Sequence, residues 1–212
     1  MNKKNKIAVI GGTGKSGKYL VKELLHKGYC IKLLHRNPEN ISFENPSVEI
    51  VKGDARNDES IRTLLCGCQA VISTLGQPKG EASIFSQATK NVIQAMKVHG
   101  IRRYILTTGL NVDTPFDQKS PKTKFATDWM KTNYQETTTD KQLEYNTLLN
   151  SDIDWTLVRL PLIEQTEERR ELLVNLNDCP GDKISAADLA GFLTKQLTDD
   201  SFIKKAPFIA NV

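Results

Sequence analysis

Ile7-Ala8-Val9-Ile10-Gly11-Gly12-Thr13-Gly14-Lys15-Ser16-Gly17-Lys18-Tyr19-Leu20 is the stretch on which the fold of this chain turns. An apolar run of strand length meets glycines spaced G-x-x-G-x-x-G at positions 11, 14 and 17, and an amphipathic segment follows at once. A strand, a glycine turn and a helix start let a diphosphate approach bare backbone, with free N–H groups at the positive end of a helix dipole. The ligand this predicts is a dinucleotide. Thr13, Lys15 and Ser16 stand between the glycines and are the side chains expected beside it.

Gly14-Lys15-Ser16 also imitates the end of the phosphate loop of NTPases. The full pattern needs a glycine at position 9, where Val9 lies inside the strand, and the strand around Val71 carries no Asp to hold magnesium. Nucleotide hydrolysis is therefore set aside.

With 212 residues and 39% hydrophobic content, the chain can bury one good core and is expected to form a single domain. A formal charge of +4, from 29 basic and 25 acidic residues spread along the chain, gives no stripe for nucleic acid. The basic start, Met1-Asn2-Lys3-Lys4-Asn5-Lys6, leads into a short strand rather than a long apolar stretch, so no signal peptide is expected. No run is long enough for a membrane helix. The expectation is a cytoplasmic protein with neither membrane nor nucleic-acid partner, monomeric or homodimeric. Cys30, Cys66, Cys68 and Cys179 form no disulfide framework, and Cys66-Gly67-Cys68 lacks neighbouring ligands for a metal, so no metal site is expected.

Short apolar runs at 6–10, 30–35, 48–52, 70–74, 104–108 and 155–159 predict strands, and helical patterns at 14–27, 59–65, 83–99 and 140–150 lie between them. In 83–99 the residues Ile84, Phe85, Ala88, Val92, Ile93 and Met96 recur at steps of three and four, one apolar face laid on a sheet. Apolar strands separated by helices mean a doubly wound, three-layer α/β fold with a parallel sheet. Residues 111–136 are polar and loop-like, 164–170 form a charged exposed loop, and 204–210 add a final short strand. A small C-terminal region, with 110–136 and 160–183, is expected to form the substrate mouth.

Cofactor contacts in such a fold collect at the carboxyl ends of the strands. His35-Arg36-Asn37 follows the second strand, nineteen residues past Gly17, where Asp or Glu would read an NAD ribose and Arg a 2′-phosphate. Arg36, with Lys15 as a second charge, favours NADP(H) over NAD(H). Asp54 and Ala55 close the third strand and suit the adenine; Asp54 could instead cap the next helix, a job Asp58 fits better. Thr74, Leu75 and Gly76 give a small-residue floor, and Thr107, Thr108 and Gly109 are placed to line the nicotinamide ribose.

The runs GGTGKSG (11–17), HRN (35–37), GDA (53–55), ISTLG (72–76) and ILTTG (105–109), followed by SDIDWTLVRLP (151–161) and ISAADLA (184–190), resemble the atypical short-chain dehydrogenase/reductases of Rossmann-type fold. Among these the chain is most similar to the NmrA-like NAD(P)H-binding group, which includes biliverdin reductase B and bacterial NADH-flavin reductases. The resemblance covers nearly the whole chain. It implies that Arg36 reads the 2′-phosphate, that Pro161 and Leu162 lie at the nicotinamide, and that 184–190 packs the C-terminal part. Leu162 stands where biliverdin reductase B carries a histidine, so tetrapyrrole reduction is not implied.

Most short-chain dehydrogenases use Tyr-x-x-x-Lys, in which the lysine lowers the phenol pKa and the tyrosine moves the proton. None of Tyr19, Tyr29, Tyr104, Tyr134 and Tyr145 has a Lys four residues on. Lys141 sits where the family lysine is expected, but Thr137 stands in the tyrosine's place. Lys141 either holds a ribose hydroxyl or stands exposed on its helix, and Thr108 is the candidate donor to the acceptor. Flavins and quinones delocalise the incoming charge and take their proton from water, so positioning supplies much of the catalysis. The expectation is an NADP(H)-dependent reductase of a small planar acceptor, flavin among them. The alternative is a non-catalytic NADP(H)-binding redox sensor.

Overall fold

β1 (Lys6–Ile10) is buried along residues 7–10 and pairs in parallel on both sides, so it lies inside a sheet rather than at an edge. The computed structural model describes residues 5–40 and 45–212; the basic residues 1–4 lie outside the described residues. From β1 the chain continues through α1 (Gly17–His26), β2 (Cys30–His35), β3 (Val48–Lys52), α2 (Asp58–Leu65), β4 (Ala70–Ser73), α3 (Phe85–His99) and β5 (Arg103–Gly109). Then come α4 (Pro121–Asn133), α5 (Gln135–Leu149), β6 (Asp154–Leu160), β7 (Leu162–Glu164), β8 (Leu172–Asn175), β9 (Lys183–Ser185), α6 (Ala186–Lys195) and β10 (Phe208–Asn211).

Among the described residues the sheet runs β3-β2-β1-β4-β5-β6-β10-β9-β7, with β8 paired to β10. Its first six strands are parallel and follow the order of dinucleotide-binding folds. The chain leaves β1 toward β2 and β3, then returns to place β4 on the other side of β1. Helices are thereby thrown to opposite faces, leaving a crevice at the carboxyl ends of β1 and β4.

Both faces are covered, as the apolar strands require. α1 and α6 pack together on one face, burying Leu20, Leu24, Leu189 and Leu193 against Val9, Leu33 and Ile105. On the other, α3 lies between α2 and α5, and Val92, Met96, Ile61, Leu64 and Leu148 close over Ala8, Val71 and Leu106. Each large apolar side chain so buried contributes about 1.5–3 kcal/mol relative to exposure. No helix among the described residues is long and apolar enough to cross a membrane.

Several expectations are corrected. Residues 111–136 are not a loop: α4 occupies Pro121–Asn133, with the Ser120 hydroxyl accepting the Thr123 N–H and Pro121 in the first turn. Its buried residues are Thr123 and Thr127, so it carries no apolar stripe to read. α5 begins at Gln135 rather than 140. The sheet is not parallel throughout, because β8 and β9 run antiparallel to β10. The final short strand expected in 204–210 is present as β10, where Phe208 pairs with Arg159 of β6 and the strand is buried along its length. The cap of α2 is Asn57, whose side chain accepts the Ser60 N–H, and Asp58 is the first helical residue. In 164–170, Glu164 ends β7, and Arg170 ties back to Glu164 and Glu168.

Candidate functional site

The glycine turn is shaped by what it cannot accommodate. Gly11 has φ +78, and a Cβ there would lie 2.7 Å from the Thr74 carbonyl oxygen of the neighbouring strand end. A Cβ at Gly17 would overlap the Gly11 carbonyl and stand 2.6 Å from the Gly12 Cα, so α1 starts hard against the turn only because nothing projects from it. Ser16 occupies the N-cap of α1 without a side-chain capping bond. Among the described residues, the backbone N–H groups of Thr13, Lys15 and Ser16 donate to no protein acceptor. Free donors at a helix start, with backbone accessible beside them, suit a diphosphate.

From this turn a cleft of about 1040 Å³ runs along the carboxyl ends of the strands. Gly11, Thr13, Gly14, Lys15 and Ser16 line it; Gly17 does not, being buried behind the turn. At one end lie Arg36 after β2, Asp54 and Ala55 after β3, and Thr74, Leu75 and Gly76 after β4. Asp54 is partly committed, since its Oδ1 accepts the Arg56 N–H at 2.8 Å. Arg36 makes a 2.7 Å ion pair with Glu81, a partner that no sequence pattern places there.

The other end is built from β5, the start of β7 and the two helices before β6. Thr107, Thr108 and Gly109 line it with Leu110, as do Pro161 and the exposed Leu162. α4 contributes Ala126, Trp129 and Met130, so the mouth has a helical wall with an aromatic face. The residues beyond Ile163 turn away into β8 and β9, so of the expected mouth segment 160–183 only its start lines the cleft. Among the described residues no tyrosine lines the cleft, and His35 lines it at the Arg36 end.

Lys141 faces this end instead of standing on an exposed helix surface. Its Nζ lies 3.5 Å from Thr108 Oγ1 and 4.3 Å from the centre of the Phe85 ring. Burial lowers its pKa, while Glu144 and Asp140 oppose the shift. One turn on, Glu144 is buried; Thr89 Oγ1 donates to its Oε1 at 2.7 Å, and its Oε2 has no partner. Burial pushes the Glu144 carboxyl up to about 7. Burial also opposes charge on Asp140, but hydrogen bonds from Ser86 and Ser83 overcome it and hold that carboxyl below the usual range. Asp140 Oδ2 accepts the Phe85 N–H at 2.8 Å, so α5 caps α3 from outside and fixes the Phe85 ring beside Lys141.

The frame behind the mouth depends on Arg159, which is fully buried. Its guanidinium donates to the carbonyls of Ala206, Val112 and Leu176, pairs with Asp117 at 2.6 Å and stacks 3.5 Å from the Phe208 ring centre. The segment between β5 and α4 is thereby tied to β6 and β10.

These features define a nucleotide-binding α/β protein with a cleft built for an extended two-ended ligand. Residues 11–200 match the NAD(P)H-binding family, and the chain belongs to it. The mouse sterol-4-alpha-carboxylate 3-dehydrogenase, decarboxylating, is 29% identical over 120 residues, 53% of this chain and 32% of that protein. Photosystem II assembly factor Ycf39 of Trieres chinensis is 26% identical over 206 residues, 90% of this chain and 59% of that protein. The chain thus spans about a third of the sterol dehydrogenase and 59% of Ycf39. Among solved structures, ChuY, an anaerobilin reductase from Escherichia coli O157:H7, superposes with a TM-score of 0.80 at 18% identity, covering 98% of this chain and 97% of that one. A Veillonella parvula short-chain dehydrogenase/reductase in complex with NADP gives 0.79 at 15% identity, covering 98% and 94%. The doubly wound α/β fold expected from the sequence is the fold observed.

Proposed function

We propose that the protein is an NADP(H)-dependent reductase that passes hydride to a flavin, a quinone or a similar planar acceptor. A bound reduced nicotinamide supplies the hydride. Gly11, Gly14 and the free N–H groups at the start of α1 bind the diphosphate, Arg36 and Lys15 meet the 2′-phosphate, and Asp54 and Ala55 face the adenine. Thr74, Leu75 and Gly76 form the floor beneath the adenosine, and Thr107, Thr108, Gly109, Pro161 and Leu162 surround the nicotinamide half. Lys141 holds a ribose hydroxyl, and Thr108 donates a hydrogen bond to the acceptor.

The observation that carries this reading is the makeup of the acceptor end, where Trp129, Met130 and Leu162 offer flat and apolar surface and no phenol stands over Lys141. Such a wall orients a planar ring by stacking and contact, which suits an acceptor that needs placing more than it needs a general acid. The protein acts on small molecules in the cytoplasm as a monomer or homodimer. The test is NADPH oxidation followed by nicotinamide absorbance, with FMN and quinones as acceptors. Turnover stimulated by either supports the assignment, and tight NADPH binding without turnover across a broad panel overturns it.

The second reading is a non-catalytic NADP(H) sensor. It is favoured by the absent phenol and by the match over 90% of this chain to a protein described as an assembly factor. Titration with NADPH and NADP+ separates the two: a sensor distinguishes the redox states strongly and turns over neither.

A further inference from the structure

Arg36 lines the cleft, and a second arginine stands just outside its lining. Arg56, two residues beyond Asp54, reaches the same carboxylate: Glu81 Oε1 lies 2.7 Å from Arg36 Nη1, and Glu81 Oε2 lies 2.9 Å from Arg56 Nη1. Arg56 is held in place by the Ala82 carbonyl at 3.0 Å and by Asp54 Oδ2 at 3.5 Å. Glu81 is equally well placed. Gly80 takes φ +75, and the Gln77 side-chain amide donates to the Glu81 carbonyl at 2.7 Å, folding the loop after β4 back toward β2.

Both arginines therefore converge on one anion, with each carboxylate oxygen taken by a different guanidinium. A phosphate monoester offers the same pattern of acceptors with more charge, and two guanidiniums are a strong receptor for it. We propose that Arg36 and Arg56 together form the 2′-phosphate site of this protein, and that the Glu81 carboxylate is its resident anion, which NADP(H) displaces on binding. The proposal rests on the NADP(H) reading above and adds Arg56 to Arg36 and Lys15, together with an internal competitor.

The geometry explains why a competitor is tolerable. Glu81 and Arg36 keep 40% and 52% of their side-chain surface in solvent, so the carboxylate swings into water without leaving a buried charge behind. Without a resident anion, two arginines beside the solvated rim would repel each other; with it they stay together and aimed. Glu81 lowers affinity for the phosphorylated cofactor while keeping its receptor assembled, and a nucleotide lacking the 2′-phosphate has nothing to gain by displacing it.

The test is calorimetric titration of the full chain with NADPH and with NADH, for the unmodified protein, Glu81→Gln and Arg56→Gln. Glu81→Gln is expected to tighten NADPH by about fivefold, the scale of one or two half-exposed ion pairs, and to leave NADH unchanged. Arg56→Gln is expected to weaken NADPH by about tenfold, again with NADH unchanged. An NADPH-to-NADH affinity ratio that does not rise in Glu81→Gln, or does not fall in Arg56→Gln, overturns the proposal. Equal affinities in the unmodified protein would overturn the NADP(H) preference instead, and a ratio that rises on removing Glu81 would still identify the resident anion. Both substitutions lie on the rim, and thermal melting of each variant without nucleotide verifies that it is folded.

Discussion

Glu144→Gln should change how stability depends on pH. The carboxyl is buried between α3 and α5, one oxygen on Thr89 and the other unpartnered, and burial raises its pKa from 4.5 to about 7. The groups around it pull in different directions: Lys141 favours its ionised form, and Asp140 opposes it. A change from 4.5 to about 7 corresponds to roughly 3 kcal/mol between the two protonation states. Below the unfolded value both folded and unfolded chains hold the proton, and burial of the neutral acid carries no ionic cost. Between 4.5 and about 7 the folded chain keeps a proton that the unfolded chain has released, so stability is lost as pH rises through this window. The amide of the variant presents the same oxygen to Thr89 and cannot ionise. Urea unfolding of both proteins at about pH 5 and about pH 8 should show the unmodified protein losing up to roughly 3 kcal/mol relative to the variant. Subtracting the variant removes the titrations that do not depend on Glu144; that of Lys141, which Glu144 raises, shifts with the substitution. A difference that is flat across this interval would refute the account of Glu144 as a buried neutral acid.

Gly17→Ala forces a methyl into the Gly11 carbonyl and should cost about 2–3 kcal/mol of stability, together with the rise in melting temperature that NADPH gives the unmodified protein; a retained shift would count against the turn as the diphosphate site. Arg36→Glu should weaken NADPH by about 1.5–3 kcal/mol and spare NADH, as read by calorimetry. Lys141→Met removes the ammonium beside Thr108 that positions the ribose and should lower turnover by about a hundredfold through misplacement of the nicotinamide; unchanged turnover would refute the positioning role of Lys141. Arg159→Met takes the guanidinium from Asp117, which keeps its hydrogen bonds from Thr114, and from the Ala206, Val112 and Leu176 carbonyls, and should cost about 3–5 kcal/mol in urea unfolding. A cost below about 1 kcal/mol would mean water replaces the guanidinium.

What the sequence discloses depends on where the information is local. The β1 turn shows itself because three glycines at fixed spacing answer a backbone requirement, and α3 because its apolar residues return every three or four positions. α4 hides because the residues it buries are the threonines Thr123 and Thr127, although Ser120-Pro121 at its start is a cap followed by a first-turn proline, a signal sufficient to find it. β10 is legible as a strand near the end of the chain, but its central position depends on pairing with residues as distant as Arg159. At the site, Arg36, Asp54 and Thr108 follow from strand ends, whereas Glu81 is 45 residues from Arg36 and carries no pattern linking them. Asp140 is silent for the same reason, since the helix it caps is 55 residues away, and Arg159, though it adjoins Leu160 of the mouth, carries no sign of its partner Asp117, 42 residues away.

The two tryptophans are divided between the sheet and the mouth. Trp155 is sealed inside, 2% exposed and edge-on to Tyr145, whereas Trp129 stands 51% exposed on the rim of the cleft with Tyr134 edge-on beside it. One indole therefore emits from a dry setting and the other from a wet one. In the proposed binding mode a dihydronicotinamide lies at the end of the cleft that Trp129 lines and should drain its emission by energy transfer, and solutes that quench from water reach Trp129 first. The molecule thus carries two optical gauges, one for occupancy of the cleft and one for the integrity of the sheet.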